Sequence, residues 1–241
     1  MSVALGSCRS GTSPEASARQ GRLSFRPRSR AARREWAVGR SVLPADGGDQ
    51  PAEVYVPSRP EREPLRLVLV LHGAGGNPAH GLDLLREEAD RHRLLLVAPK
   101  SSAATWDVIV GGYGADVRTV DRLLTEATRR CPVRGYTVAG FSDGASYALS
   151  LGLANGDVFD SVIAFSPGFE AAELANGEPR FFVSHGTQDR VLPIERCSRR
   201  IVPALRDAGY DVTYEEFSGG HAVPRPVRRS AAEWLGPSPA A

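Results

Sequence analysis

Sulfur is scarce in this chain, which has three cysteines and one methionine in 241 residues. Cys8, Cys131 and Cys197 make an odd set, and the last two stand in or beside stretches of helical pattern. A disulfide framework is therefore not expected, and a reducing, cytoplasmic compartment fits better. Long apolar runs are also missing. A run such as Leu67–Leu71 is a strand's length, far below the roughly 18 to 20 residues of a membrane-spanning helix. Leu5-Gly6-Ser7-Cys8 has the outline of a lipoprotein cleavage site. It lacks the basic start and the apolar stretch of about 7 to 15 residues that a secretory signal requires, and reads as chance. Only five histidines exist, at positions 72, 80, 92, 185 and 221. Any histidine-dependent chemistry must choose among them.

What is present is the composition of an ordinary globular domain, 41% apolar and 24% charged. A chain of this length buries roughly 70 to 75% of its unfolded surface in a single core. The formal charge of +2 is unevenly spread. Met1 to Arg40 holds nine arginines against two glutamates, a balance of +7, so the remaining 201 residues carry −5. Residues 1–20, rich in Ser, Gly and Arg, read as a disordered basic arm, 21–236 as one domain and 237–241 as a flexible tail. The arm has few aromatics for base stacking and the domain no basic excess, so nucleic acid is not an expected partner.

From Leu65 onward, short β-rich runs alternate with amphipathic stretches, the signature of βαβ units on a mainly parallel sheet. The strands predicted are Arg66–His72, Leu94–Pro99, Tyr136–Gly140, Ser161–Ser166, Phe181–His185 and Val212–Phe217. Their continuous hydrophobicity suits strands covered on both faces. Helical stripes run through Leu82–Ala89, Val117–Ala127, Ala145–Leu153 and Ile201–Leu205, with a last helix from near Pro226 to Trp234. Before Leu65, Leu23/Phe25, Trp36/Val38 and Val54/Val56 alternate with period two around turn-rich segments such as Asp46-Gly47-Gly48-Asp49. They are expected to be antiparallel strands at the N-terminal edge of the sheet.

The chemistry-bearing signal is Gly140-Phe141-Ser142-Asp143-Gly144. Alone, a G-x-S-x-G pentapeptide is weak. Here a buried-strand pattern precedes it and a helical stripe comes after, which is the context of a serine held on a sharp strand-to-helix turn. A serine hydroxyl attacks only if a base takes its proton and a carboxylate supports the base. Asp189 lies on the loop after the Phe181 strand, at the carboxyl edge where open α/β sheets bind ligands. His221 is the only histidine beyond it. Asp157, Asp160 and Asp211 precede their strands and sit at the wrong end. His185 reads as a strand or core residue rather than a second base. His72-Gly73-Ala74-Gly75-Gly76-Asn77 supplies small residues for a close backbone approach, so the amides of Ala74 and Asp143 are assigned to an oxyanion hole. As a phosphate cradle the same loop fails, with Pro78 where a third glycine belongs and no Lys-Ser or Lys-Thr pair.

Taken together and in order, His72–Asn77, Gly140–Gly144, His185-Gly186-Thr187-Gln188-Asp189-Arg190-Val191-Leu192-Pro193 and Gly219-Gly220-His221 resemble a family. From about Gly21 to Leu235 the chain is similar to small α/β-hydrolases of the phospholipase/carboxylesterase group, close to polyhydroxybutyrate-depolymerase-like esterases. The resemblance implies a three-layer α/β-hydrolase fold, Ser142, Asp189 and His221 as catalytic residues, no cofactor and hydrolysis through an acyl-enzyme. No metal site is assigned. It also makes Trp106, Tyr113 and Val191 candidate walls of an acyl pocket. Asp143 and Ala145 depart from the Gln and Gly common in thioesterase relatives. Little length lies between Phe165 and Arg180 for an inserted cap, so no large cap domain is expected, and small or extended esters suit the open site. A thioesterase or peptidase using the same three residues, or a silent binding protein on this fold, are the alternatives. The oligomeric state is left open.

Overall fold

The computed structural model describes residues 13–27, 36–43, 50–58 and 64–236. Residues 1–12 of the expected arm, the Asp46–Asp49 turn and the 237–241 tail lie outside them. Eight strands form one sheet, β1 (Gly39–Leu43), β2 (Ala52–Val56), β3 (Leu65–Leu71), β4 (Leu94–Pro99), β5 (Val133–Phe141), β6 (Ser161–Phe165), β7 (Arg180–Gly186) and β8 (Val212–Phe217). Their order is β1-β2-β4-β3-β5-β6-β7-β8. Pairing is antiparallel between β1 and β2 and between β2 and β4, and parallel from β4 to β8. The expected mainly parallel sheet with an antiparallel N-terminal edge is what the chain forms.

The helices are α1 (Pro14–Ala18), α2 (Pro78–Leu82), α3 (Arg86–His92), α4 (Asp107–Val110), α5 (Ala115–Arg130), α6 (Asp143–Ala154), α7 (Ser198–Asp207) and α8 (Arg225–Leu235). Side chains alternate across a strand, and on β3 Leu65, Leu67, Leu69 and Leu71 enter one core while Val68 and Val70 enter the other. The first core is closed by α5, α6 and α7, the second by α2, α3 and α8. Three layers result. Residues 166–179, between β6 and β7, contain no helix, so no cap domain is inserted there. None of the described helices is long and apolar enough to cross a membrane.

Four expectations need correction. The single stripe through Leu82–Ala89 is two helices, broken at Leu84 and Leu85, both of which turn into the core. Gly81 brings α2 so near β3 that a Cβ there would lie 2.7 Å from the Val70 carbonyl oxygen. Second, strand β1 begins at Gly39, after the predicted Trp36/Val38 pair. Third, within the expected arm Pro14–Ala18 form α1, where the Ser13 hydroxyl accepts from the Ala16 amide.

Fourth, the Leu23/Phe25 pair, expected as an edge strand, joins no sheet: beyond α1 the chain is extended but pairs with side chains. Asn155 accepts from the Leu23 amide (2.8 Å) and donates to the Gly21 carbonyl (2.7 Å). Asp121 accepts from the amides of Ser24 and Phe25 at 2.9 and 2.7 Å. The Arg22 guanidinium forks onto Asp157 at 2.8 and 2.9 Å. Leu23 and Phe25 thereby reach the core. Asn155 is wholly buried and also donates to the Leu151 carbonyl (2.9 Å). Its replacement leaves several backbone groups unpaired, each costing about 1 to 3 kcal/mol. Asn155→Ala is expected to lower urea-unfolding stability by about 2 to 4 kcal/mol and to expose residues 13–27 to limited proteolysis. Unchanged stability and protection would show that this segment is held by its apolar side chains alone.

Candidate active site

β5 runs into α6 through Ser142, whose backbone sits at φ 57°, ψ −122°. A side-chain-bearing residue there carries strain on the order of 1 to 3 kcal/mol, and persists only when its surroundings impose it. They do so through contact. A Cβ on Gly140 would lie 2.1 Å from the Gly144 carbonyl oxygen, and one on Gly144 would lie 2.3 Å from that of Leu71. The two glycines let the first turn of α6 seat against β5 and β3. The Ser142 amide donates to the Phe165 carbonyl at 3.0 Å, and its own carbonyl accepts from Ala145 and Ser146 at 2.9 and 3.0 Å.

Asp189 and His221 arrive from the next two loops along the same edge. Gly186, at the end of β7, packs so tightly on the loop after β8 that a Cβ would lie 2.4 Å from the Gly220 carbonyl oxygen. The Gln188 amide donates to the Gly219 carbonyl at 2.8 Å. This brings His221 Nδ1 to 2.6 Å from Asp189 Oδ2 and His221 Nε2 to 2.9 Å from Ser142 Oγ. A carboxylate only accepts, so Nδ1 carries the proton and Nε2 is left to accept from the serine hydroxyl. Burial pushes the Asp189 carboxyl upward, but the Leu192 amide, His221 and the Val191 amide outweigh it and hold the group below its ordinary range. Asp157 and Asp160 are occupied elsewhere, on Arg22 and Arg66.

Beside Ser142 lies the loop after β3. A Cβ on Gly73 would touch Ser142 Cβ at 3.4 Å, and one on Gly144 would lie 2.5 Å from the His72 carbonyl oxygen. Asp143 is the first residue of α6, where an amide has no partner inside the helix. Neither its N–H nor that of Ala74 donates to an acceptor among the described residues. Both open donors stand on segments that border Ser142.

The three candidate pocket walls differ in position. Trp106 is wholly buried, stacked on Tyr147 with ring centroids 5.2 Å apart, and donates its indole N–H to the His72 carbonyl at 2.9 Å. It underlies the loop instead of facing solvent. Tyr113 is nearly buried, its hydroxyl donating to the Ala171 carbonyl at 3.2 Å, and burial pushes that hydroxyl up to about 12. Val191 is 66% exposed. A cavity of about 610 Å³ opens between Phe25, Leu43 and α5, and none of Ser142, Asp189 or His221 lines it. Among the described residues no cluster of His, Cys, Asp or Glu is arranged to hold a metal ion.

No protein-family model matches the sequence, and no curated protein matches it. Solved structures do match. Esterase PE8 is 24% identical, with 82% of this chain covering 97% of that one at a TM-score of 0.60. The fluorophosphonate-binding serine hydrolase FphF of Staphylococcus aureus is 16% identical, with coverage of 82% and 98% and a TM-score of 0.66. The carboxylesterase of Bacillus cereus is 21% identical, with coverage of 75% and 92% and a TM-score of 0.59. The chain has the α/β-hydrolase fold.

Within this α/β-hydrolase fold, several supporting residues escape sequence reasoning. His72 Nδ1 donates to the Gly73 carbonyl at 2.7 Å while Nε2 accepts from the Ser101 amide at 3.2 Å. The neutral ring thus ties the Ala74 loop to the loop after β4. Asp107 and Asp116, both buried, wire that second loop through backbone amides: Asp116 accepts from Ser102 and Asp107, and Asp107 from Gly114 and Asp116. Burial, then the neighbouring Asp107 charge, raises the Asp116 carboxyl. The Thr105 hydroxyl donates to Asp143 Oδ2 at 2.7 Å. The one available signal was a polar residue closing an apolar strand pattern, as His72 does after β3.

His72 makes the site sensitive to acid. Burial, opposed by its bond to Gly73, lowers its affinity for a proton to about 4. Between the ordinary histidine value and pH 4 the unfolded chain binds a proton that the folded one refuses, so stability falls as pH falls through that window. The contribution is roughly 3 kcal/mol. Urea midpoints taken from pH 7 to 4 are expected to drop, and to drop less in His72→Gln. An identical slope in the variant would assign the acid loss to other groups.

Proposed function

We propose that the protein is a serine esterase that cleaves carboxylic esters through an acyl-enzyme. One observation carries this reading: the continuous relay from Ser142 Oγ through His221 to Asp189, with contacts of 2.9 and 2.6 Å, set on a strained turn. Ser142 Oγ attacks the ester carbonyl carbon while its proton passes to His221 Nε2. The oxygen that gains charge is received by the Ala74 and Asp143 amides. Collapse breaks the bond to the alcohol, which leaves with the proton from His221. Water then enters, gives a proton to the same nitrogen and adds to the acyl carbon, and Ser142 departs reprotonated with release of the acid. Asp189 keeps the imidazole oriented and stabilises its charged form.

With only residues 166–179 between β6 and β7, no cap is inserted there to enclose a long acyl chain, which favours small or extended esters. Tyr113 and Val191 remain the candidate pocket walls, and Trp106 supports the Ala74 loop from below. Cys197, buried and outside any disulfide, suits a reducing cytoplasmic setting. The solved structures named as esterases and serine hydrolases agree with the reading.

Ser142→Ala is expected to cut p-nitrophenyl acetate turnover on the order of 10⁶-fold, judging from other triads, and to abolish fluorophosphonate labelling. Asp189→Asn should cost about 10⁴-fold. Normal turnover by Ser142→Ala would refute the assignment. Turnover compared on matched ester, thioester and amide substrates should be fastest per unit of intrinsic reactivity on the ester. A preference for either of the others would move the protein to a different branch of hydrolases. Trp106→Ala is expected to lose about 3 to 5 kcal/mol of stability and to lower activity without changing the acyl-length profile. A shifted profile would return Trp106 to the pocket wall.

A further inference from the structure

His185 is a buried imidazole with no part in the esterase reaction as proposed. It stands near the end of β7 with no exposed surface, a position that an apolar side chain fills at less cost in desolvation. Both of its nitrogens are engaged. Nε2 lies 2.8 Å from the Leu192 carbonyl oxygen and Nδ1 lies 2.6 Å from Ser198 Oγ. A carbonyl only accepts, so Nε2 carries the proton. Burial keeps the ring neutral, so Nδ1 holds a lone pair and the Ser198 hydroxyl donates to it.

The same N–H passes 3.3 Å from Asp189 Oδ2, the oxygen that accepts from His221. Asp189 Oδ1 accepts the amides of Val191 and Leu192, each at 2.9 Å. Leu192 is thus gripped on both sides, its N–H by Asp189 and its carbonyl by His185. The turn 189–192 cannot rotate the carboxylate without releasing one of these bonds. The charged or titratable groups facing His185 are Asp189 and His221 at the rim and Glu216 on β8, its register partner. Arg199 binds Glu216 at 2.7 and 2.8 Å, so that charge is compensated.

We propose that His185 is a positioning residue for this reaction, fixing the 189–192 turn and with it the direction from which Asp189 supports His221. The inference rests on the esterase reading. His185→Phe removes the donor and keeps an apolar ring in place, while His185→Gln keeps an N–H within reach of the Leu192 carbonyl. Kinetics are referred to active sites counted by fluorophosphonate titration, so that misfolded protein does not enter kcat. A misplacement of about 1 Å can cost on the order of 10²-fold. We expect His185→Phe to lower kcat about 10- to 100-fold with KM within about twofold, and His185→Gln to recover most of the loss. The low-field proton resonance of the His221–Asp189 hydrogen bond should shift in His185→Phe and return in His185→Gln. Wild-type kcat per titrated site in His185→Phe, or a lowered kcat with the resonance unmoved, would overturn the proposal.

Should His185→Phe fail to fold, Ser198→Ala serves. Without the hydroxyl, Nδ1 loses its donor and the ring loses one of the two bonds that fix its plane, while Nε2–H still faces the Leu192 carbonyl. A smaller fall in kcat, about 3- to 10-fold, with a shifted resonance supports the inference, and unchanged values refute it. If the wild type neither hydrolyses esters nor labels with fluorophosphonate, the esterase reading fails. The resonance in the variants still decides whether His185 positions Asp189.

Discussion

The close seating of α6 on β3 and β5 is the constraint on which the site depends. It is possible only because positions 140 and 144 lack side chains, with would-be Cβ distances of 2.1 and 2.3 Å to backbone carbonyl oxygens. That contact holds Ser142 at a positive φ, in a backbone region that side chains avoid. It also leaves the Asp143 amide at the head of a helix, pointing where no intrahelical acceptor exists. A looser joint would let the serine backbone relax. The strain is local, but many parallel-sheet hydrogen bonds and a two-faced apolar core sustain it.

Around that joint the protein stabilises several buried polar side chains by pairing them with backbone. Asp189 accepts two amides besides His221, His72 bridges two loops, and Asp107 and Asp116 each accept two amides. Such groups are costly when unpaired, so a partly broken network is worse than an apolar one. The result is a rim of loops tied to one another by buried hydrogen bonds. Even the N-terminal segment joins in. Gly21 lies against the Tyr113 ring, where a Cβ would sit 3.0 Å from ring atoms, and Tyr113 in turn holds the Ala171 carbonyl.

How much of this was legible in the sequence varied with the range of the interaction. Strands β4 and β8 were read at their actual ends, because continuous apolar runs bounded by turns report burial on both faces. Helices α5 and α6 were read from their stripes. The break between α2 and α3 was missed because Leu82, Leu84, Leu85 and Ala89 keep a helix-like spacing across it. The Leu23/Phe25 pair reads as an edge strand but docks without joining the sheet, for a different reason. Its backbone is held by the side chains of Asp121 and Asn155 and its Arg22 by Asp157, all far away along the chain, and an arginine-rich stretch gives no local sign of them. Trp106 was readable as important but not as buried, since an aromatic in a loop looks alike whether it faces substrate or backbone.

The sequence alone determined the alternation of strand and helix, the pentapeptide turn and, by elimination among five histidines, the candidates for base and acid. These are properties of local pattern and of residue count. Tertiary structure decided which groups meet: the spacing of Ser142, His221 and Asp189, the burial of Trp106, and the second imidazole at His185 gripping the turn beneath Asp189. Hydrogen bonds depend on small differences in distance between groups far apart in the chain, and only the packed sheet brings them to that precision.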